Sequence, residues 1–255
     1  DHTKSCGACC GLYNFEDHSR ETLTTLLKQR TELFFSSGEN PDPAVYQREI
    51  RAIPIPPKLC ETIHDCEFLG FVDIKERRVG CLLHPVLHQG RDLRKCSFYG
   101  AELCANHFCI GYSCLTPVEQ KAVISALDDW YLYGLVLTDV DFVKTFFTHV
   151  QNRMGDSVKK GNLEKGEVRS ALRNYFQLKE SWQFSAGDKR LGKYYFSEAE
   201  YRIARIEYEK HLHMKPSRFD TIFVSLASGF KTEEEVLEAE SIIEEKIEQF
   251  IAVCR

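Results

Sequence analysis

Cys6-Gly7-Ala8-Cys9-Cys10-Gly11 is the stretch whose reading decides the first part of this chain. It sets three thiols within five residues, beside glycines that let backbone and sulfur crowd one point. Seven more cysteines follow, at 60, 66, 81, 96, 104, 109 and 114, and then only Cys254. Ten of eleven thiols therefore fall within the first 114 residues. Three uses of cysteine compete for this pattern. Disulfides fit poorly, because the count is odd and a bond between vicinal Cys9 and Cys10 is strained. Inert buried thiols suit Cys254 and Cys60, but not ten gathered in one segment. Metal ligation by thiolates in a reducing, cytoplasmic setting fits best.

The composition sets outer bounds. With 255 residues and 43% hydrophobic content, the chain can build a core without covalent staples. A net charge of −5 and the lack of any basic block give a nucleic-acid role no electrostatic support. The longest apolar run, Trp130 to Leu137, is far short of the roughly 20 residues that span a bilayer, so no membrane role is expected. The chain opens on Asp1 rather than Met, with no charged-then-apolar leader before it, so a processed or trimmed start is expected.

Outward from the knot, leucines 23, 26, 27 and 33 with Phe34 recur at helical spacing and predict a helix over 17–35. Glu39 to Pro43 reads as a turn, 44–53 as a short helix, and Pro54, Pro56 and Pro57 forbid regular structure after it. Residues 68–72 and 78–83 read as two short strands joined by 73–77 into a hairpin, in an otherwise irregular stretch up to Cys114. Thr116-Pro117-Val118-Glu119 is a capping box with proline in the first turn, and predicts a helix to about 132. Thr138 or Asp139 caps the next, to about 154. Further helices are expected at about 163–179, 198–213 (capping box Ser197 to Glu200), 217–227 and 232–253. The fold class is thus α+β and mainly helical. A Cys-rich, metal-organised part with a small hairpin occupies 1–115, and a helical part, 116–255, is expected to pack on it.

In extended chain, adjacent side chains point to opposite faces. Cys9 and Cys10 therefore serve one metal only through a tight turn, or else face two sites. The order Cys6-Gly-Ala-Cys9-Cys10, then Cys66-Glu-Phe-Leu69, then Cys81-Leu-Leu-His-Pro85, then Cys96 resembles the YkgJ-type family of zinc- or iron-chelating domains. The resemblance covers residues 6–96, about a third of the chain. It implies metal chelation, with Cys6, Cys9, Cys10, Cys66, Cys81 and Cys96 as cofactor ligands, and no defined reaction. The chain departs from the family pattern in three ways. A further cysteine before the knot is missing, His84-Pro85 stands where the family has Tyr and Arg, and Cys104, Cys109 and Cys114 are additional. This late triplet, with His107 inside it, either replaces lost ligands or makes a second metal site.

Ten thiols exceed the four of one zinc site, and the zinc-ribbon spacing is absent. An iron–sulfur cluster is the favoured cofactor, although neither ferredoxin run is present, and zinc is the alternative. The expected function is redox or electron transfer, or a cluster-dependent enzyme subunit. A zinc-organised interaction module, with the helical part as its protein-binding surface, stands beside it, and an enzyme with an open metal site is a third reading. Each of His64, His84, His88 and His107 reads first as a histidine bonded to backbone. Aspartates 128, 129, 139 and 141 read as helix caps rather than a carboxylate site, and the aromatics from Trp130 to Phe147 as core. No nucleotide-binding or hydrolase signature is present.

Overall fold

In the computed structural model, which describes residues 4–36, 38, 40–186 and 206–255, the first helix is α1, Arg20–Phe35. It starts where Ser19 accepts the Thr22 N–H at 3.3 Å, satisfying one of the first-turn donors. Leu23, Leu26, Leu27 and Phe34 are buried, and Arg30 falls on the same inward face. Asp42 caps α2, Pro43–Ile50, by accepting from Ala44 N at 2.8 Å, with proline in the first turn. Strands β1, Leu69–Phe71, and β2, Val79–Cys81, form the antiparallel hairpin in the register Leu69↔Cys81, Gly70↔Gly80, Phe71↔Val79. The Asp73 carboxylate holds the turn by accepting the Lys75, Arg77 and Arg78 N–H groups. Thr31 of α1 reaches the sheet, its hydroxyl accepting from Phe71 N at 2.7 Å.

The stretch to Cys114 is less irregular than its sequence suggests. It holds α3, Gly100–Asn106, and α4, Ile110–Cys114, at seven and five residues too short to show a helical period. The capping box forms as expected: Thr116 Oγ1 accepts from Glu119 N, and Glu119 Oε2 from Thr116 N at 2.7 Å, opening α5, Pro117–Ala126. That helix stops at Ala126 and does not run to 132. Leu127 turns to extended backbone (φ −116°, ψ 126°), and Asp129 Oδ1 starts α6, Trp130–Thr138, by accepting from Tyr131 N and Leu132 N. The apolar spacing of Val123, Leu127, Trp130 and Tyr131 runs through this break and hides it.

Asp139 caps α7, Val140–Met154, which ends at Gly155 in the left-handed region (φ 70°). Then come α8, Gly166–Phe176, α9, Leu178–Ser181, α10, Asp220–Ser225, and α11, Glu233–Cys254, capped by Thr232. The helix expected at 198–213, with its Ser197 capping box, lies mostly outside the described residues, and Tyr208–Leu212 forms a π-helical turn. Val236, Ile243, Ile247, Phe250 and Ile251 of α11 are all buried, each worth about 1.5–3 kcal/mol. Phe146 is the centre of that core, stacked on Tyr175 at 4.1 Å and edge-on to Phe250 at 5.3 Å.

The architecture is α+β and mainly helical, with one two-stranded hairpin among the described residues. Two compact units divide the chain: Asp1–Cys109 with Asp129–Gly134, and Ile110–Asp128 with Leu135–Arg255. No helix among the described residues is long and apolar enough to cross a membrane.

Candidate metal centre

The knot is a single 3₁₀ turn, Ala8–Cys10. Cys10 N–H donates to Gly7 O and Gly11 N–H to Ala8 O, both at 3.0 Å, and Gly11 leaves the turn at φ 86°. A Cβ on Gly11 would stand 2.5 Å from the His64 carbonyl oxygen, so only glycine lets these two strands of chain close up. Cys66 N–H then donates to Cys10 O at 2.9 Å, locking the two thiol-bearing segments together.

Cys66 is held from beneath by α1. The Arg30 guanidinium, 1% exposed, grips the Asp65 carboxylate, 3% exposed, and its Nη1 donates to the Cys66 carbonyl at 3.1 Å. The hairpin register sets Cys81 opposite Leu69, three residues beyond Cys66. Leu93 N–H donates to Leu83 O, and Cys96 N–H to Leu93 O, which sets Cys96 against the same apolar cluster. Phe34, Tyr46, Ile50, Phe68, Leu82, Leu83 and Leu93 make a buried core that includes Cys66, and Cys10, Cys81 and Cys96 pack against it. Four cysteines from four separate segments thus border one apolar cluster.

Burial decides the state of these thiols. It pushes Cys66 up to about 12. It raises Cys10 strongly, helped by repulsion from Cys66 and Cys81, and it raises Cys81, helped by Cys104. Cys9 is pushed up to about 12 by burial and then by Cys6 and Cys109, while burial takes Cys6 to about 11. Cys10 is repelled most by Cys66 and Cys81 and less by Cys9 and Cys6, whereas Cys9 is repelled by Cys6 and Cys109. All these thiols are protonated near neutral pH, and a metal ion that binds them displaces the protons. All eleven cysteines are free of disulfide bonds.

Cys104 lies on α3, its sulfur 3.4 Å from the Ser97 hydroxyl. Cys109 falls just before α4, in the company of Cys6 and Cys9. Cys114 is exposed and belongs to the second unit. His107 is exposed at the C-terminal end of α3. Cys60 contacts the Thr62 hydroxyl at 3.1 Å, and Cys254 is buried at the end of α11.

Two histidines follow the backbone-bonded reading. His84 Nδ1 accepts from Val86 N at 3.3 Å, and the buried His88 sets Nε2 2.7 Å from Leu82 O. His64 does not: its Nε2 is buried and has no hydrogen-bond partner. Among the described residues, one trio brings metal-ligating atoms mutually within 4.8 Å, namely His64, Cys66 and Glu67. Among the described residues no three thiol sulfurs come that close to one another, whereas tetrahedral zinc, at about 2.3 Å per Zn–S bond, draws its sulfurs to about 3.8 Å.

The aspartates act as caps and ion-pair partners. Asp129 also accepts from Arg20 Nη1 at 2.8 Å, Asp128 pairs with Arg173, and buried Asp139 holds Lys179. Three contributors to the centre escape a reading of the sequence for thiols: Arg30, His64 and Glu67. Arg30 carried a usable signal, since an arginine on a leucine-lined helix face requires a buried acceptor. The chain matches no family model, no curated protein and no solved structure in comparison.

Proposed function

We propose that the first unit carries an iron–sulfur cluster on Cys10, Cys66, Cys81 and Cys96, and that the protein serves electron transfer or forms the cluster-bearing subunit of a redox enzyme. The observation that carries this reading is that those four cysteines, from four distant segments, border one buried apolar cluster. The motif resemblance of residues 6–96 to the YkgJ-type family points the same way.

A bound cluster would supply a one-electron redox centre. The chain supplies the rest. Phe34, Phe68, Leu82 and Leu93 form the apolar wall beside these cysteines, and Arg30 fixes the backbone that carries Cys66. Cys6, Cys9 and Cys109 form an adjoining group, so loss of one of them is expected to weaken loading less than loss of a member of the quartet.

Single Cys→Ser variants at 10, 66, 81, 96 and 254, purified without oxygen, test the reading by iron and acid-labile sulfide content. The first four are expected to lose most of both, and Cys254→Ser to match the unmodified protein. Equal content in all five would refute the proposal. A colourless protein with stoichiometric zinc in its place would support the zinc-organised interaction module.

A further inference from the structure

Beside the thiol quartet, and sharing one of its members, lies a second group of donors. His64 Nε2, Cys66 Sγ and a Glu67 carboxylate oxygen lie within 4.8 Å of one another, with 3.9 Å between His64 Nε2 and Glu67 Oε2. Tetrahedral coordination at ordinary zinc bond lengths needs donor separations of about 3.3 to 3.8 Å, a small side-chain adjustment away.

Three further features single this trio out. The first is the buried His64 Nε2, which has no hydrogen-bond partner. A buried nitrogen left without one is costly, and a cation in front of it would remove that cost. The second is the way the donors are held. Gln47 Nε2 donates to Glu67 Oε1 at 2.9 Å, which leaves Oε2 turned toward His64. The Phe98 ring stacks on the imidazole at 4.2 Å, with Tyr99 edge-on at 5.2 Å. Such outer contacts orient the ligands of metal sites. The third is the backbone, which is pinned on both sides: Arg30 Nη1 donates to the Cys66 carbonyl, and the Tyr46 hydroxyl to that of Glu67.

We propose that His64, Cys66 and Glu67 form a site for a borderline divalent cation of the zinc class, and that its occupancy and cluster assembly exclude each other because both need Cys66. A thiolate with an imidazole selects zinc-like ions over magnesium or calcium. Binding sends the Cys66 thiol proton to solvent and leaves the fourth coordination position to water. The site stands on its own geometry; the exclusion rests on the cluster reading above.

Cobalt(II) is the probe, titrated anaerobically into metal-free protein and read through its tetrahedral and thiolate-charge-transfer absorption. A background with Cys6, Cys9, Cys10, Cys81, Cys96, Cys104 and Cys109 each changed to Ser removes the neighbouring thiols and is expected to keep one cobalt site with one thiolate ligand. In that background His64→Ala and Glu67→Gln are each expected to weaken cobalt binding by about tenfold or more. Glu67→Gln preserves size, and so guards against a variant that merely misfolds. Cobalt binding unchanged by both substitutions would overturn the site. In the unmodified protein, zinc loaded beforehand is expected to block reconstitution with iron and sulfide until a chelator is added. Equal uptake with and without zinc would overturn the exclusion. Failure of the cluster reading looks different: no iron or sulfide uptake under any condition, with the cobalt site intact.

Discussion

Replacing Arg30 with methionine is expected to be among the most damaging single changes in the first unit. The guanidinium and the Asp65 carboxylate are 1% and 3% exposed, so the substitution strands a carboxylate where water cannot reach it. Removing one partner of such a pair costs about 3–5 kcal/mol. The Cys66 carbonyl also loses its Nη1 donor at 3.1 Å, worth about another 1 kcal/mol. The sum, about 4–6 kcal/mol, is a large part of the stability of an ordinary domain. Arg30→Met/Asp65→Leu removes both charges and keeps the volume apolar, so it is expected to recover most of the loss, leaving about 1–2 kcal/mol for the unpaired carbonyl. The assay is urea unfolding of the full chain in a Trp182→Phe background, where Trp130 alone reports, and Trp130 lies in the first unit. A chain of two units need not unfold in one step, so a local reporter is required. A cost under about 1 kcal/mol for Arg30→Met would refute the reasoning, as would a double variant no better than the single.

Further expectations concern the knot, the second unit and pH. Gly11→Ala should destabilise the first unit by at least about 1–3 kcal/mol of backbone strain at φ 86° and lower metal content as well, because its Cβ would push the His64 carbonyl away; melting temperature and metal analysis check both. Gly134→Ala should do comparable harm, since a methyl there runs into the Tyr13 hydroxyl that donates to Tyr131 O at 2.9 Å, and urea unfolding read by Trp130 reports it. Asp139→Ala removes the cap of α7, about 1 kcal/mol, and strands buried Lys179, about 3–5 kcal/mol more, with Trp182 fluorescence as the readout for the second unit. The metal-free fold should lose stability as pH rises. Cys66 titrates at 9.0 when exposed but at about 12 when folded, so above pH 9 the unfolded chain gives up its proton first and is favoured. Cys66→Ser should reduce that slope in urea midpoints measured across pH, with Cys6, Cys9, Cys10 and Cys81 keeping the rest. Metal affinity should change the opposite way, rising with pH because binding releases thiol protons.

Much of the helical part was legible in the sequence because its signals are local. The capping box at Thr116–Glu119, Asp139 before α7 and the helix over 232–253 all rest on residues a few positions apart. The end of α5 was not legible: Leu127 continues the apolar spacing, and only the bond pattern of Asp129 reveals a new start. The short helices α3 and α4 fall below the length at which a period can be counted. For the centre, the sequence supplied the thiols but not their company. That Cys109 stands near Cys9, and Cys66 and Cys81 near Cys10, follows from the folded chain and not from the order of residues. His64 looked like any partly buried histidine until its Nε2 was found without a partner beside Cys66 and Glu67.

The claim on which all this depends is that Cys10, Cys66, Cys81 and Cys96 hold one inorganic centre. Iron and acid-labile sulfide measured on the anaerobically purified protein, with the visible spectrum before and after reduction, test it most directly. The account predicts both elements in stoichiometric amounts and a broad visible absorption that a strong reductant bleaches. A colourless protein with neither iron nor sulfide, and with every thiol open to titration, would contradict it.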